Sequence, residues 1–319
     1  MSYRLINPGF AAMLNSYAEG TQYTDSIYSR TGYSFTQTGQ SNTPGIESPG
    51  YSVNDAEFWM KLDVYIGYKN SSYTFYCGAP DSIGATSAMN GFSVSVYSSY
   101  VQLALDYKKS GSNYSSSVRQ ANDYWEIFKK NDINTFLLRV KYGAAGTGII
   151  SLNVNRKTTY TIDTYEVSRC SNTKNSVILQ DYSGNVKFSN IICSDEEISL
   201  KETMISLPVS TVTTTMTDNN DGTYTANEAN QQILQTVDTA QLIADYGGDS
   251  QITGIAIAGN PAYRTGEGLT SLTAISDTET FGTKTVSEET TGMVMDYHSL
   301  ENKTLSDLTG KKFGWKSGV

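Results

Sequence analysis

Two acidic residues, Glu57 and Asp63, come closest to the carboxylate pair that cleaves glycosidic bonds. Such a pair needs its carboxyl groups about 5 to 9.5 Å apart, one acting as an acid and the other as a nucleophile or base. Because Glu57 and Asp63 are six positions apart on one predicted strand, they are separated by roughly 20 Å at about 3.3 Å per residue. They cannot form the pair by themselves. Asp63 either meets a carboxylate from a neighbouring strand or is solvated on the outer face of its own strand, and we expect the solvated position.

Other residue types that support catalysis or bind zinc are scarce. His298 is the only histidine, and the Gly-x-Ser-x-Gly turn that exposes a nucleophilic serine is absent. We therefore expect a surface histidine or one whose hydrogen bonds are satisfied. Cys77, Cys170 and Cys193 are too few for a disulfide scaffold and lack the paired spacing of a zinc site. They are expected to be small buried side chains, so the sequence predicts neither a catalytic residue nor a zinc site.

Two loops have the composition of ligand-binding loops. The run of glycines at 143, 146 and 148 is superficially similar to a phosphate-binding loop, but it leads into another predicted strand instead of a helix. The segment 218–222 clusters oxygen ligands, yet Gly222 is fifth and Ala229 twelfth, whereas an EF-hand needs glycine sixth and glutamate twelfth. A hairpin turn is therefore preferred in both places, and calcium is the one cofactor left open. The calcium candidates are Asp218, Asn220 and Asp221, with Asp81 and the acidic segment 195–197 as similar ones.

Aromatic side chains are concentrated between residues 73 and 125, among serines and asparagines. A tyrosine offers a flat apolar ring with a polar tip, which suits both sugar stacking and contact between proteins. Three interpretations stay open: packing within the sheets, contact between subunits, and contact with a glycan. The candidate ligand-binding residues are Tyr97, Tyr100, Tyr107, Tyr114, Tyr124 and Trp125.

The composition excludes several classes of protein. Of the 319 residues, 38% are hydrophobic and only 17% are charged, against a usual charged share of about 25%. The polar surface must therefore come from Ser, Thr, Asn and 23 Tyr, which is typical of an all-β protein. A net charge of −9 repels phosphate backbones, so nucleic acid is not expected as a partner. Neither a signal peptide nor a run of about 18 apolar residues is present, so we expect synthesis in a cytoplasm without membrane insertion.

Strict alternation of apolar and polar residues from 58 to 66 predicts a strand. If one face is fully buried, its five apolar residues contribute on the order of 10 kcal/mol before the entropy cost. We expect Trp59, Lys61, Asp63 and Tyr65 on the opposite, solvated face. Further strands are predicted at 92–96, 160–167, 177–179, 188–193, 211–217, 223–225, 231–237, 252–258, 269–275, 293–297 and 313–316, with a hairpin formed by 136–142 and 150–154.

Helical signals are few. Residues 238–247 are expected to form one or two helical turns, capped by Asp238 or Thr239 and ended by Gly247. Residues 117–130 suit a helical turn or a strand equally, and the first twenty residues suit a short helix or an extended arm. Short strands with Gly, Asn and Ser turns predict an all-β chain of antiparallel β-sandwiches. The expected parts are an arm at 1–20, a first sandwich at 21–206 and a smaller second sandwich at 207–319.

Several segments resemble known proteins. Residues 57–65, 136–155 and 188–196 resemble the strands of concanavalin A-like, laminin-G-like sandwiches found in tail-associated proteins of bacteriophages. Residues 304–316 look like the last helical turn and strand of another β-sandwich common in phage structural proteins. The resemblance implies two jelly-roll or concanavalin A-like domains.

The same resemblance implies a setting. The expected protein is a virion structural component of the tail, neck or capsid surface, with host attachment as one option. It would act by assembly and surface binding without catalysis, as a homo-oligomer among other virion proteins. The alternative is a carbohydrate-binding module that recognises a host surface glycan, and a glycan hydrolase or lyase is less favoured. Fold alone does not decide among them.

Overall fold

The computed structural model describes residues 3–7, 14–16, 20–25, 30–35, 45–47, 57–66, 73–80, 89–97, 100–110, 112–122, 128–129, 132–168, 178–181, 186–199, 202, 207–259, 261–262, 268–287 and 294–319. The chain divides into two compact units, Met1–Met204 and Ile205–Val319. Most described residues lie in antiparallel strands, as the sequence predicts. The assignment of an arm and two domains with the boundaries above stays a prediction.

The first unit contains two antiparallel sheets. Sheet A has the strand order β13-β12-β11-β6-β15-β4-β3, with β1 also paired to β15, and sheet B has the order β10-β9-β8-β7-β14-β5-β2. The strands are β1 (Tyr3–Asn7), β2 (Leu14–Ser16), β3 (Gly20–Asp25), β4 (Arg30–Phe35), β5 (Gly45–Glu47), β6 (Glu57–Ile66), β7 (Tyr73–Pro80), β8 (Met89–Val96), β9 (Val101–Lys109), β10 (Ser112–Ala121), β11 (Asp132–Lys141), β12 (Gly143–Val154), β13 (Thr158–Val167), β14 (Ile178–Asp181) and β15 (Val186–Ser194).

Aromatic side chains join the two sheets across the core. Phe75 of β7 contacts Phe136 of β11 and Phe188 of β15 edge to face, each with ring centroids 6.2 Å apart. Phe92 of β8 stacks on Phe136 at 5.0 Å. All four rings are fully buried. The first unit is therefore a β-sandwich whose two layers meet through side chains of alternate strand positions.

The strand β6 confirms the predicted alternation on one face and corrects it on the other. The five apolar residues from Phe58 to Ile66 are at most 1% exposed, as expected. The opposite face is not solvated, since Lys61 is 5% and Asp63 is 7% exposed. The Lys61 ammonium donates a hydrogen bond to the carbonyl of Glu202. The chain that follows β15 thus covers the outer face of β6, and a strand buried on both faces results.

Several local predictions in this unit are confirmed. The hairpin of β11 and β12 places Phe136 opposite Val154 and Lys141 opposite Ile149. Residues 112–121 form β10, so the strand interpretation holds for that part of 117–130. Within the predicted arm, β1 and β2 are extended and pair with β15 and β5. Cys77 and Cys193 are buried, as expected, whereas Cys170 lies outside the described residues.

The second unit contains a five-stranded sheet, sheet C, with the order β16-β19-β24-β21-β22. A two-stranded ribbon, β20-β23, packs on one face of it, and β17-β18 is a short hairpin. Trp315 donates a hydrogen bond from Nε1 to the carbonyl of Ala258, 3.0 Å away, and so links the sheet to the ribbon. The strands are β16 (Val209–Thr214), β17 (Thr217–Asp218), β18 (Tyr224–Thr225), β19 (Gln232–Val237), β20 (Gln251–Gly259), β21 (Ser271–Ser276), β22 (Thr280–Thr285), β23 (Val294–Thr304) and β24 (Lys312–Gly318).

The predicted helix forms as α1 (Ala240–Tyr246). Thr239 is the N-cap residue but makes no side-chain capping hydrogen bond, and the Oδ1 of the preceding Asp238 accepts the backbone N–H of Ala240 at 3.1 Å. The Thr239 hydroxyl instead shares a 2.6 Å hydrogen bond with Thr309. Gly247 ends the helix with a φ of 87°, a conformation that glycine adopts without strain. In the described part of the chain, no helix is long and apolar enough to span a membrane.

Candidate functional site

The structure divides the predicted tyrosines into two stacked pairs. Tyr97 pairs with Tyr100, with ring centroids 4.5 Å apart and an interplanar angle of 28°. Tyr107 pairs with Tyr114 at 5.7 Å and 21°. Tyr124 and Trp125 lie outside the described residues. Tyr100 and Tyr107 are separated by seven positions, roughly 23 Å along an extended strand, so the two pairs are separate places.

The first pair, the exposed Tyr97 and the half-buried Tyr100, lies at the turn between β8 and β9. The backbone N–H of Tyr97 donates to the carbonyl of Tyr100 at 2.8 Å and closes this turn. Val101 is 1% exposed and points into the core, so alternation puts Tyr100 and Gln102 on the outer face of sheet B. The Tyr97 side chain is 42% exposed. A flat aromatic surface therefore faces solvent at this end of the sheet.

The surface next to the first tyrosine pair is polar and uncharged. Gln102 lies between Ser95 of β8 and Gln120 of β10 in the register of sheet B. The Gln102 side-chain amide donates a hydrogen bond to the hydroxyl of Ser117. Amide and hydroxyl groups beside an aromatic ring provide both the donors and the acceptors that a sugar needs.

The second pair, Tyr107 and Tyr114, is mainly structural. The two residues are directly opposite in the register of β9 and β10. Tyr107 is only 4% exposed, whereas Tyr114 is 44% exposed. The Lys109 ammonium lies 5.8 Å from the centroid of the Tyr114 ring, within reach of a cation–π interaction. This pair agrees with the interpretation of cross-strand packing.

A buried carboxyl group of β9 escaped the sequence analysis. The Asp106 side chain is only 5% exposed. Aspartate side chains are rarely this buried, because the ionised carboxylate is stabilised by water. Burial raises the pKa of Asp106, and hydrogen bonds from Ser115 and Ser93 lower it only in part. Among the described residues, no donor reaches its Oδ2. The sequence did contain a signal for this burial. Asp106 follows the mainly apolar run of β9, where a solvated acid is unusual.

The two acids considered for glycan cleavage are both engaged by neighbouring strands. Glu57 accepts hydrogen bonds from Arg139 Nε at 2.6 Å and Nη2 at 3.3 Å. The guanidinium also lies 5.2 Å from the centroid of the Trp59 ring. The expectation that Asp63 is solvated is wrong, because it is buried and accepts hydrogen bonds from Thr135 at 2.7 Å and Asn190 at 2.9 Å. Its described contacts are thus with a hydroxyl and an amide.

His298 is half-buried and hydrogen-bonded through one ring nitrogen. Its Nε2 hydrogen bonds to Oδ2 of the buried Asp296, and its ring lies 4.3 Å from that of Phe281. Lys284 Nζ is 3.0 Å from Oδ1 of Asp296, and the Gly282 N–H donates to Oδ2 at 2.7 Å. Burial alone would raise the pKa of Asp296, but these hydrogen bonds outweigh burial and hold the pKa below its ordinary value. The cluster ties β23 to β22.

The predicted calcium loop forms the turn of the β17-β18 hairpin. The Oδ1 of Asp218 accepts the N–H of Asn220 at 2.8 Å, and the Oδ1 of Asp221 accepts the N–H of Thr223 at 2.9 Å. The hydrogen bonds from Thr223 lower the pKa of Asp221. Within the described ranges, no group of three or more His, Cys, Asp or Glu is arranged to hold a metal. Calcium binding stays a prediction, Asp81 lies outside the described residues, and Asp195 is 8% exposed.

Comparisons with known proteins are confined to solved structures, because no protein-family model and no curated protein matches the chain. An endo-β-1,4-glucuronan lyase from the fungus Trichoderma reesei is similar at 8% identity and a TM-score of 0.44, over 60% of this chain and 96% of that one. A carbohydrate esterase from the Shiga toxin-encoding bacteriophage phi24B is similar at 8% identity and a TM-score of 0.41, over 60% and 98%.

A third similar structure is the CBM2 module of the evolved Dit protein of Lactobacillus casei BL23 phage J-1. Its identity is 12% and its TM-score 0.36, over 59% of this chain and 88% of that one. Scores and identities this low carry no argument about what this chain does. The inference of function therefore depends on the chain's own residues.

Proposed function

We propose that the protein binds carbohydrate on the outer face of sheet B, where a sugar ring stacks on the pair formed by Tyr97 and Tyr100. The observation that carries the proposal is that the exposed Tyr97 ring stacks on the half-buried Tyr100 ring beside uncharged polar side chains. An aromatic ring offers its apolar face to the C–H groups of a sugar, and neighbouring amides and hydroxyls bond its hydroxyl groups. The absence of charge in the adjoining row of Ser95, Gln102 and Gln120 favours a neutral sugar.

We also propose that this activity is binding without cleavage. The Glu57 carboxylate is held by Arg139, and the Asp63 carboxylate is 7% exposed and accepts hydrogen bonds from Thr135 and Asn190. A general acid or nucleophile must be within hydrogen-bond reach of the bond that it cleaves. The arrangement of these two acids supports a structural role for both.

The biological setting that we propose is a phage virion, with attachment to host surface glycan as its role. This proposal is supported by the resemblance of residues 57–65, 136–155 and 188–196 to strands of phage tail-associated sandwiches. Imaging of purified particles with an antibody against the chain tests it. Labelling at the tail, neck or capsid surface is the expected result, and particles that lack the chain contradict it.

Binding of neutral oligosaccharides, measured by calorimetry on the full chain, tests the glycan surface. Tyr97→Ala should weaken binding about 3- to 10-fold, because an aromatic stacking contact contributes on the order of 0.5 to 1.5 kcal/mol. Tyr97→Phe retains the ring and should bind like the native chain. Tyr114→Ala removes an equally exposed tyrosine from the second pair and is the matched control. Unchanged binding after Tyr97→Ala and Tyr100→Ala together contradicts the proposed surface.

A further inference from the structure

The strand β16 is an exposed edge of sheet C. It pairs with β19 on one side, and no described strand pairs with its other side. Val209 is 50% and Val212 is 43% exposed, and the rest of the strand is exposed except for the half-buried Thr214. The outward N–H and C=O groups of such a strand are able to pair with a strand of another chain.

Both valines lie on the face of sheet C that carries the core. Val209 is opposite Val237, and Val212 is opposite Gln235, because a bulge shifts the register between them. Val237 is 4% exposed, and Ile233, two alternate positions away, packs against the core around Trp315. The ribbon β20-β23 contacts this face at β24, through Ala258, and at β22, through Phe281. At β16 the same face is left exposed.

The two edges of sheet C differ in charge. No charged residue occurs from position 203 to position 217, which includes all of β16. The other edge strand, β22, contains Lys284 and directly follows Glu279. Charged side chains on an edge strand oppose pairing with a second sheet. The strand β16 lacks this protection, although Pro208 and the bulge limit pairing at its beginning.

We infer that β16 pairs antiparallel with β16 of a second copy of this chain, which joins two five-stranded sheets into one of ten strands. Two copies with a net charge of −9 each repel one another, so contact is favoured where neither copy presents charge. A cationic partner gains nothing at an uncharged edge, whereas an identical strand is matched in length and polarity. With Val212 opposite its own copy on a two-fold axis, Thr211 of each strand meets Thr213 of the other, a favourable cross-strand pairing.

This inference is independent of glycan binding. A dimer would present two tyrosine surfaces and raise avidity for a surface that displays many glycans. The assembly is measured by molecular mass and the glycan surface by ligand affinity, so the failure of one is distinguished from the failure of the other.

Light scattering coupled to gel filtration, over a range of concentrations of the full chain, tests the inference. The native chain should have the mass of a dimer. Val212→Lys places like charges opposite one another and should weaken the dimer about a hundredfold or more, because such a juxtaposition costs several kcal/mol. Thr285→Lys makes the same change at an exposed position of β22 and should leave the dimer intact.

A mixing experiment separates lost pairing from misfolding. Val212→Lys and Val212→Glu should each be monomeric alone and should form a heterodimer when mixed, because opposite charges then meet across the axis. Restored dimer mass in the mixture shows that both variants are folded. A native chain that is monomeric at every concentration overturns the inference. A Val212→Lys chain that retains the native dimer also overturns it.

Discussion

The side-chain amide of Asn190 donates a hydrogen bond to Oδ2 of Asp63 across 2.9 Å, although the two residues are 127 positions apart. Asn190 has a φ of 53° and lies where the register of β15 with β6 shifts between Ser189 and Ile192. The Thr135 hydroxyl of β11 donates to the other carboxylate oxygen at 2.7 Å. One buried carboxylate thus joins three adjacent strands of sheet A.

The first prediction concerns Asp63. Asp63→Ala leaves two donors without their acceptor inside the sheet, and we expect the free energy of unfolding of the first unit to fall by about 2 to 4 kcal/mol. Urea denaturation followed by fluorescence measures it. Asp163→Ala changes an exposed acid of β13 and should have almost no effect. Equal stability of the Asp63→Ala and Asp163→Ala chains would contradict the structural role of Asp63.

The second prediction separates the amide of Asn190 from its backbone conformation. Asn190→Gly keeps a residue that adopts a positive φ without strain but removes the amide, and a loss of about 1 to 2 kcal/mol is expected. Asn190→Ala removes the same amide and adds backbone strain, so its loss should be greater by about 1 kcal/mol. Denaturation of both variants under the same conditions gives the comparison. If Asn190→Ala is at least as stable as Asn190→Gly, the positive φ contributes nothing, and if Asn190→Gly is as stable as the native chain, the hydrogen bond contributes nothing.

The third prediction concerns the pH dependence of Asp106. Burial raises the pKa of Asp106 above its ordinary 3.8 in the folded state. The contribution of Asp106 to the free energy of unfolding is therefore most favourable below pH 3.8. It becomes less favourable as the pH rises through the pKa of the folded state. Asp106→Asn removes this penalty. We expect the variant to be more stable than the native chain at neutral pH and to show no such gain near pH 3. Unfolding curves at both pH values check this, and a variant that is less stable at neutral pH would disprove it.

The fourth prediction has the opposite sign and concerns Asp296. The hydrogen bonds from Lys284, His298 and Gly282 hold the pKa of Asp296 below 3.8. The stabilisation that ionised Asp296 provides is therefore present above pH 3.8. It is lost as the pH falls through the pKa of Asp296 in the folded state. Asp296→Asn should destabilise the second unit by about 1 to 3 kcal/mol at neutral pH, and the difference should shrink in acid. Thermal unfolding at several pH values measures it, with exposed Glu279→Gln as the control.

The fifth prediction concerns close backbone packing in sheet C. A Cβ added at Gly314 would lie 1.9 Å from the carbonyl oxygen of Ile233, a backbone atom that cannot rotate away. Gly314→Ala should cost the second unit about 2 to 3 kcal/mol or more. At Gly318, the nearest atom is the rotatable Ser271 hydroxyl, 2.6 Å away, so Gly318→Ala is the matched control. Comparable stability of the two variants would rule out this explanation.

Local patterns accounted for much of the secondary structure. The alternation from Phe58 to Ile66 predicted both β6 and its core face, because a strand directs successive side chains to opposite sides. The beginning and the terminal glycine of α1 were equally predictable, since Asp238, Thr239 and Gly247 act within a few residues of their own position. These features depend on short-range geometry alone.

The candidate site was less predictable. Clustering in sequence placed the tyrosines together, but the pairing of β8, β9 and β10 places Tyr97 with Tyr100 and Tyr107 with Tyr114 at opposite ends of β9. Stacking partners are chosen by strand register, which a sequence window does not contain. The buried Asp106 was missed because its hydrogen-bonding residues, Ser93 and Ser115, belong to two other strands.

Side-chain alternation and turn residues act locally, so the order of amino acids alone predicts a chain of antiparallel strands and the apolar face of β6. The burial of the polar face of β6 became evident from the folded chain. Lys61 bonds to Glu202, 141 positions away, and Asp63 bonds to Asn190, 127 positions away. Whether a polar side chain meets water or another chain segment depends on what packs over it, and that is set by contacts between residues distant in sequence.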